Sequence, residues 1–170
     1  MATRPRSRAL SLPAMRVEVR ESVTVATDAS TLFDFLASEA GFLSFPGYGP
    51  IPGLARVEFE RGSYTVVGSE SCVTNTDGST HRERIVECLR PERFAVQIFE
   101  LSGPFGRLVR EIEERWQVSP RGAGSRLTRT FAFALRSPLY WPLSIPLAQG
   151  LFRAAMRRHH RALAARFDPG

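Results

Sequence analysis

The chain of 170 residues contains no lysine, so all 23 of its Lys/Arg positions are arginine. It has only two cysteines, Cys72 and Cys88, which excludes a disulfide scaffold. No apolar run is long enough to span a bilayer. The N-terminal stretch MATRPRSRALSLPAM is basic, but its apolar part is too short for the core of a signal peptide. There is no internal repeat, interdomain linker, phosphate loop, dinucleotide fingerprint or nucleophile elbow. These absences leave a soluble, cytoplasmic, single-domain protein as the expectation.

What is present supports a real core. The hydrophobic fraction is 43%, and Phe supplies 12 of the aromatic residues. The formal net charge is +6. Arginine carries a planar fork suited to carboxylates and phosphates, yet the arginines are scattered and interleaved with Asp and Glu. Local clusters occur only at 4–8 and 153–161. Residues 1–14 read as a disordered tail, with Met15 a candidate start and one domain over 15–168.

Residues 16–26 alternate, with Val17, Val19, Val23 and Val25 on one side, as in a half-buried strand. TDASTLFDFLAS follows as a helix capped by Asp28 or Ser30, and a second short helix fits 39–44. PGYGPIPG at 46–53 forces a loop. Strands are then expected at 55–62, 64–76, 79–89, 91–101, 107–119 and 126–135. Asp77-Gly78 predicts a two-residue hairpin turn with positive φ at both positions. That turn pairs Thr76 with Ser79, places Cys72 opposite Glu83 and Cys88 opposite Val67, and separates the sulfurs by about 16 Å, too far for a disulfide. SPLYWPLSIP (137–146) reads as a connection that ends in a helix start, with Pro146 tolerable in the first turn, and Leu147 to Phe167 as a long helix. Ala148, Phe152, Ala155, Met156, His159, Leu163 and Phe167 share one side of that helix. Arg153, Arg157 and Arg161 line the other as a solvated face.

Successive strands joined by turns make an antiparallel sheet, and its concave face is where a lone amphipathic helix can bury its stripe. In this order of elements the chain resembles the START-like (SRPBCC) superfamily, polyketide cyclase/dehydrase-like branch, over roughly 16–167. The resemblance is carried by VEVRESVTVATDASTLFDFLAS, VGSESCVTNTDGSTHRERIVECLRPERFAVQIFEL, GSRLTRTFAFAL and the terminal helix. It implies an α+β helix-grip fold. In that fold a seven-stranded antiparallel sheet wraps a long C-terminal helix, two short helices follow the first strand, and a cavity lies between sheet and helix. Relatives bind lipids, sterols, hormones, quinones or polyketides, and some cyclise or dehydrate them, so the fold leaves the activity open.

Candidate site residues are polar groups on otherwise apolar faces. Glu114 shares a face with Ile112, Trp116 and Val118, where a desolvated carboxylate needs a cation. Arg110 on the same strand, or Arg129 between Leu127 and Phe131, could supply it as a ligand clamp, an acid/base group or a structural ion pair. His81 and Glu83 share a face with Ile85, with Glu83 the deeper. His159 lies on the helix stripe as a ligand contact or a satisfied core residue, with Phe152 and Met156 beside it. His160 is expected at the edge. Adjacent helix positions diverge by about 100°, so the two histidines do not chelate, and no metal or cofactor is expected. Phe45, Tyr48 and Phe105 lie in segments that rim the cavity mouth in the family, and Tyr140 and Trp141 could cap it. The catalytic candidates are Glu83, Glu114 and His159.

The leading expectation is a hydrophobic ligand, lipid-, polyketide- or isoprenoid-like, bound in the cavity. The alternatives are a cyclase or dehydratase, and a macromolecule-binding module using the basic helix face. No nucleic acid or membrane insertion is expected, and a homodimer is left open.

Overall fold

The computed structural model describes residues 16–168. The expected tail at 1–14 and the candidate start at Met15 lie outside these residues. Strand β1 (Arg16–Val25) leads into helices α1 (Ala29–Leu36) and α2 (Glu39–Leu43). Strands β2 (Leu54–Arg61), β3 (Glu70–Asn75), β4 (Thr80–Leu89) and β5 (Arg93–Phe99) follow. After helix α3 (Gly103–Leu108) come β6 (Val109–Arg121) and β7 (Gly124–Leu135). The C-terminal helical run comprises a 3₁₀ turn (Pro138–Tyr140), α4 (Trp141–Ile145), a π-helical stretch (Pro146–Phe152) and α5 (Arg153–Arg166). The seven strands form one sheet in the order β1-β7-β6-β5-β4-β3-β2, with every neighbouring pair antiparallel. The architecture is α+β and helix-grip.

Local chemistry explains the elements. Asp28 caps α1, its Oδ1 accepting from the Ser30 and Thr31 amides at 3.0 Å each. The Thr31 hydroxyl and amide hold the Asp28 carboxyl below its ordinary range. Ser38 caps α2 in the same way. The two helices touch so closely at Gly41 that a Cβ there would lie 2.0 Å from the Phe35 carbonyl oxygen. The stripe read from the terminal helix is buried at Ala148, Phe152, Ala155, Met156, His159 and Leu163.

Four sequence expectations need correction. The β3–β4 hairpin turns through three residues, because the Asn75 amide bonds the Ser79 carbonyl at 2.8 Å. Only Gly78 of the Asp-Gly pair has positive φ, at 83°. The register therefore shifts by one, and Cys72 faces Arg82 while Ser71 faces Glu83. Both cysteines are free. Next, β3 starts at Glu70 rather than 64, because Ser63 to Gly68 is turn, with the Gly68 amide bonded to the Ile85 carbonyl at 2.8 Å. Residues 103–108 are helical rather than loop and strand, with Pro104 suited to a first turn. Finally, helical structure begins at Pro138, well before Leu147. Pro146 has no N–H and its ring obstructs the preceding carbonyls, so the run continues through it as a widened π-helical turn instead of ending.

The arginines are largely paired on outer surfaces. Arg82 bonds Glu70 at 3.1 Å and also pairs with Glu60, while Arg84 meets Glu70 at 2.7 Å. Arg153 and Arg157 both meet Glu21, at 3.2 and 3.0 Å.

Gly41→Ala tests the helix contact. The added methyl has no room against backbone, so stability should fall by about 1–3 kcal/mol, read from the urea midpoint. An unchanged midpoint would show that α1 and α2 are not held at this distance.

Candidate functional site

Between the sheet, the terminal helix and the α2–β2 loop lies a cavity of about 300 Å³. Its apolar wall comes from several elements: Phe42 and Phe45 from α2 and its end, Ile98 and Ile112 from the sheet, Phe131 from β7 and Phe152 from the helix. Two polar stations interrupt this wall.

The first station is built by register. Trp116 and Arg129 are direct partners across β6 and β7, and Glu114 is paired with Phe131, one same-face step away. Arg129 Nε donates to Glu114 Oε1 at 2.9 Å, and its Nη2 donates to the same oxygen. The Trp116 indole N–H is the third donor on Oε1. The guanidinium also lies 5.8 Å from the Phe45 ring centroid, 5.6 Å from Trp116 and 5.2 Å from Phe131, a cation enclosed by aromatic faces.

Arg129 reaches the helix as well. Its Nη1 stands 2.5 Å from His159 Nδ1. A guanidinium can only donate, so Nδ1 accepts and the proton sits on Nε2. Nε2–H donates to Ser44 Oγ at 2.8 Å, and the Ser44 hydroxyl donates in turn to the Gly41 carbonyl at 2.5 Å. Burial first, then the Arg129 and His160 charges, lower the His159 pKa to about 2. His160 is also buried rather than at the edge, 4% exposed, and its Nε2 has no hydrogen-bond partner among the described residues. Burial and Arg129 lower its pKa to about 3.

The second station is on β4. His81 Nε2 lies 3.0 Å from Glu83 Oε1, and Asn75 Nδ2 lies 3.4 Å from His81 Nδ1. The Asn75 amide nitrogen can only donate, so it faces an Nδ1 lone pair and leaves Nε2–H to donate to Glu83. Glu83 Oε2 is buried without a hydrogen-bond partner among the described residues. Burial pushes the nearby Tyr64 phenol up, helped by the Glu39 and Glu83 carboxylates.

Of the residues singled out in the sequence, Phe45, His81, Glu83, Phe105, Glu114, Trp116, Arg129, Phe152 and His159 line this one cavity. Three do not. Arg110 is exposed, because a bulge between Val109 and Glu111 slips the strand by one, burying Val109 and turning Arg110 to solvent. Tyr48 is 43% exposed, while Ile51, which closes the same tight turn, is buried and lines the cavity. Met156 is wholly buried in the core, away from the lining. Tyr140 and Trp141 are half-exposed and do not cap the cavity. Sequence reasoning missed Phe42, Ile51, Asn75 and Ser44. Asn75 was findable, since a three-residue turn brings it onto the His81 face. Ser44 carries no sequence signal. Among the described residues no group of three His, Cys, Asp or Glu gathers to hold a metal ion.

The fold and this cavity define a START-like ligand-binding architecture. The chain belongs to the polyketide cyclase / dehydrase and lipid transport family, whose model matches residues 16–168. No curated protein matches it. Similar solved structures include a norcoclaurine synthase point mutant from Thalictrum flavum in complex with a transition-state analogue. It is 18% identical with a TM-score of 0.64, and the match covers 92% of this chain and 98% of that one. Ginseng major latex-like protein 151 from Panax ginseng is 12% identical with a TM-score of 0.63, over 91% of this chain and 99% of that one. Ara h 8.0201 is 16% identical with a TM-score of 0.58, over 85% and 98%.

Two predictions follow from the polar groups. Glu114→Leu strands a buried guanidinium and should cost about 3–5 kcal/mol, whereas Glu114→Leu/Arg129→Met should cost less than that single change. Chemical denaturation of both variants gives the comparison, and equal or additive losses would contradict the pairing. The buried histidines set an acid sensitivity. Their folded pKa values lie below the ordinary 6.5, so the unfolded chain takes up protons first as pH falls. Their contribution is complete above about pH 7 and drops by about 2 kcal/mol per histidine between pH 7 and pH 5. His160→Phe should remove one such increment from the pH dependence of the denaturation midpoint.

Proposed function

We propose that the protein binds a hydrophobic small molecule, lipid-, polyketide- or isoprenoid-like, in the cavity between sheet and C-terminal helix. The observation that carries this reading is the cavity of about 300 Å³ with its largely aliphatic and aromatic wall, within the range of small-molecule sites. A dry apolar cavity of roughly 150 Å³ accepts benzene, so there is room here for about two fused rings or a folded chain of similar bulk.

A neutral fluorophore, N-phenyl-1-naphthylamine, tests the proposal. Binding should saturate at one probe per chain. Ile112→Trp, which places an indole in the lumen, should weaken it at least tenfold, about 1.4 kcal/mol. Non-saturable fluorescence, or undiminished binding to a folded Ile112→Trp protein, would remove the cavity as the site.

One observation favours a second reading, a cyclase- or dehydratase-type enzyme. The His81–Glu83 pair in the wall is suited to moving a proton to or from a bound molecule. His159 and Glu114 support that reading less, since each is held by Arg129. Native mass spectrometry separates the two readings: an enzyme should carry a precursor in Glu83→Gln where the unaltered protein carries its product.

A further inference from the structure

The two carboxylates in the cavity wall are treated unequally. Glu114 has a guanidinium and an indole N–H on one oxygen. Glu83 is as deeply placed, its side chain only 7% exposed, yet its single ion-pair neighbour among the described residues is His81. His81 is an oriented donor rather than a free base, since Asn75 occupies its other nitrogen. Asn75 is fixed in turn, its Nδ2 donating to Ser79 Oγ at 2.9 Å. The His81 Nε2–H points toward Glu83, Asn75 fixes that tautomer, and Glu83 Oε2 has no hydrogen-bond partner among the described residues. A carboxylate oxygen left unpaired in such a place is costly unless something supplies a hydrogen bond.

The outer face of β4 shows what has been withheld. Arg82 and Arg84 flank Glu83 in sequence, but the strand's alternation turns both outward to Glu70. The station therefore keeps its acceptor character toward the cavity that Asn75, His81 and Glu83 all line.

We propose that Glu83, oriented by His81 and Asn75, is a subsite for a hydrogen-bond donor on the ligand, a hydroxyl or an ammonium group. The ligand is then an apolar skeleton carrying such a donor, and skeletons ending in a carboxylate are rejected. This rests on the binding reading above. Rejection follows because a ligand carboxylate would meet the Glu83 oxygens with like charge, and the guanidinium that could receive it is already committed to Glu114 and His159.

One skeleton that suits the volume isolates the effect. Dissociation constants would be measured by calorimetry at constant pH and ionic strength for naphthalene, 2-naphthol, 2-(aminomethyl)naphthalene and 2-naphthoate. Naphthol and the amine should bind at least tenfold tighter than naphthoate, and tighter than naphthalene itself. A larger gain for the amine than for naphthol identifies charge as part of the recognition. In Glu83→Gln the preference for donor over carboxylate should shrink to about threefold or less. Naphthoate binding as well as naphthol in the unaltered protein overturns the subsite, with no variant needed. A preference that survives in folded Glu83→Gln also overturns it. If naphthalene and all three derivatives fail to bind, the cavity reading falls and the subsite falls with it. If naphthalene binds without any ranking among the others, only the subsite falls.

Discussion

Arg129 is the side chain on which the interior depends. It sits 4% exposed on β7 and joins three elements at once: β6 through Glu114, the terminal helix through His159, and the end of α2 through the His159–Ser44 link. A buried cation is tolerated only when its charge and its N–H groups are all answered. Here the answers come from a carboxylate, an imidazole lone pair and three aromatic faces. These groups belong to different parts of the chain, so the demand of one guanidinium fixes how sheet, helix and α2 approach one another.

That constraint bears on why the helix leaves space instead of filling it. His159 is tied to Arg129 at one point of α5, and the π-helical stretch brings Phe152 against Phe131 and Phe133 at 4.7 and 4.9 Å. Packing of this kind closes the β1–β7–β6 side of the sheet. Toward β4 and β3 the wall comes from strands with Glu83 and His81 on the cavity side, from the β3–β4 turn, from the segment around Ser102 to Phe105 and from the α2–β2 loop. The cavity is thus the part of the sheet's hollow that the helix, anchored at Arg129, does not reach.

Much of this was legible in the sequence, and the failures share a cause. Alternation in β1, the stripe of the terminal helix and the pairing of Glu114 with Arg129 all depend on regular periods, and regular periods survive in a string of letters. Arg110 and Cys72 were misplaced because each lies beyond an extra residue: a bulge before Glu111 in one case, a three-residue turn in place of two in the other. A single inserted residue reverses every later side chain of a strand, and nothing in the local composition announces the insertion. Tyr48 and Ile51 differ for another reason, since a turn of Gly and Pro has no period to read. Gly41 and Ser44 matter through contacts with the α1 backbone and with His159, distant relationships that no short window contains.

The contrast between the two carboxylates is the part of the site least explained by folding. A chain selected for stability alone gains little from the His81–Glu83 pair, because apolar residues at both positions would remove the unpaired buried oxygen together with the donor that faces Glu83. Glu114 could be defended structurally, since it answers Arg129. Among the described residues Glu83 pairs only with His81, and His81 in turn is held by Asn75 only where the hairpin turn places it. Three residues and a particular turn are therefore spent on keeping one acceptor inside an apolar cavity. A cost of that kind is most simply understood if the missing partner arrives with the ligand.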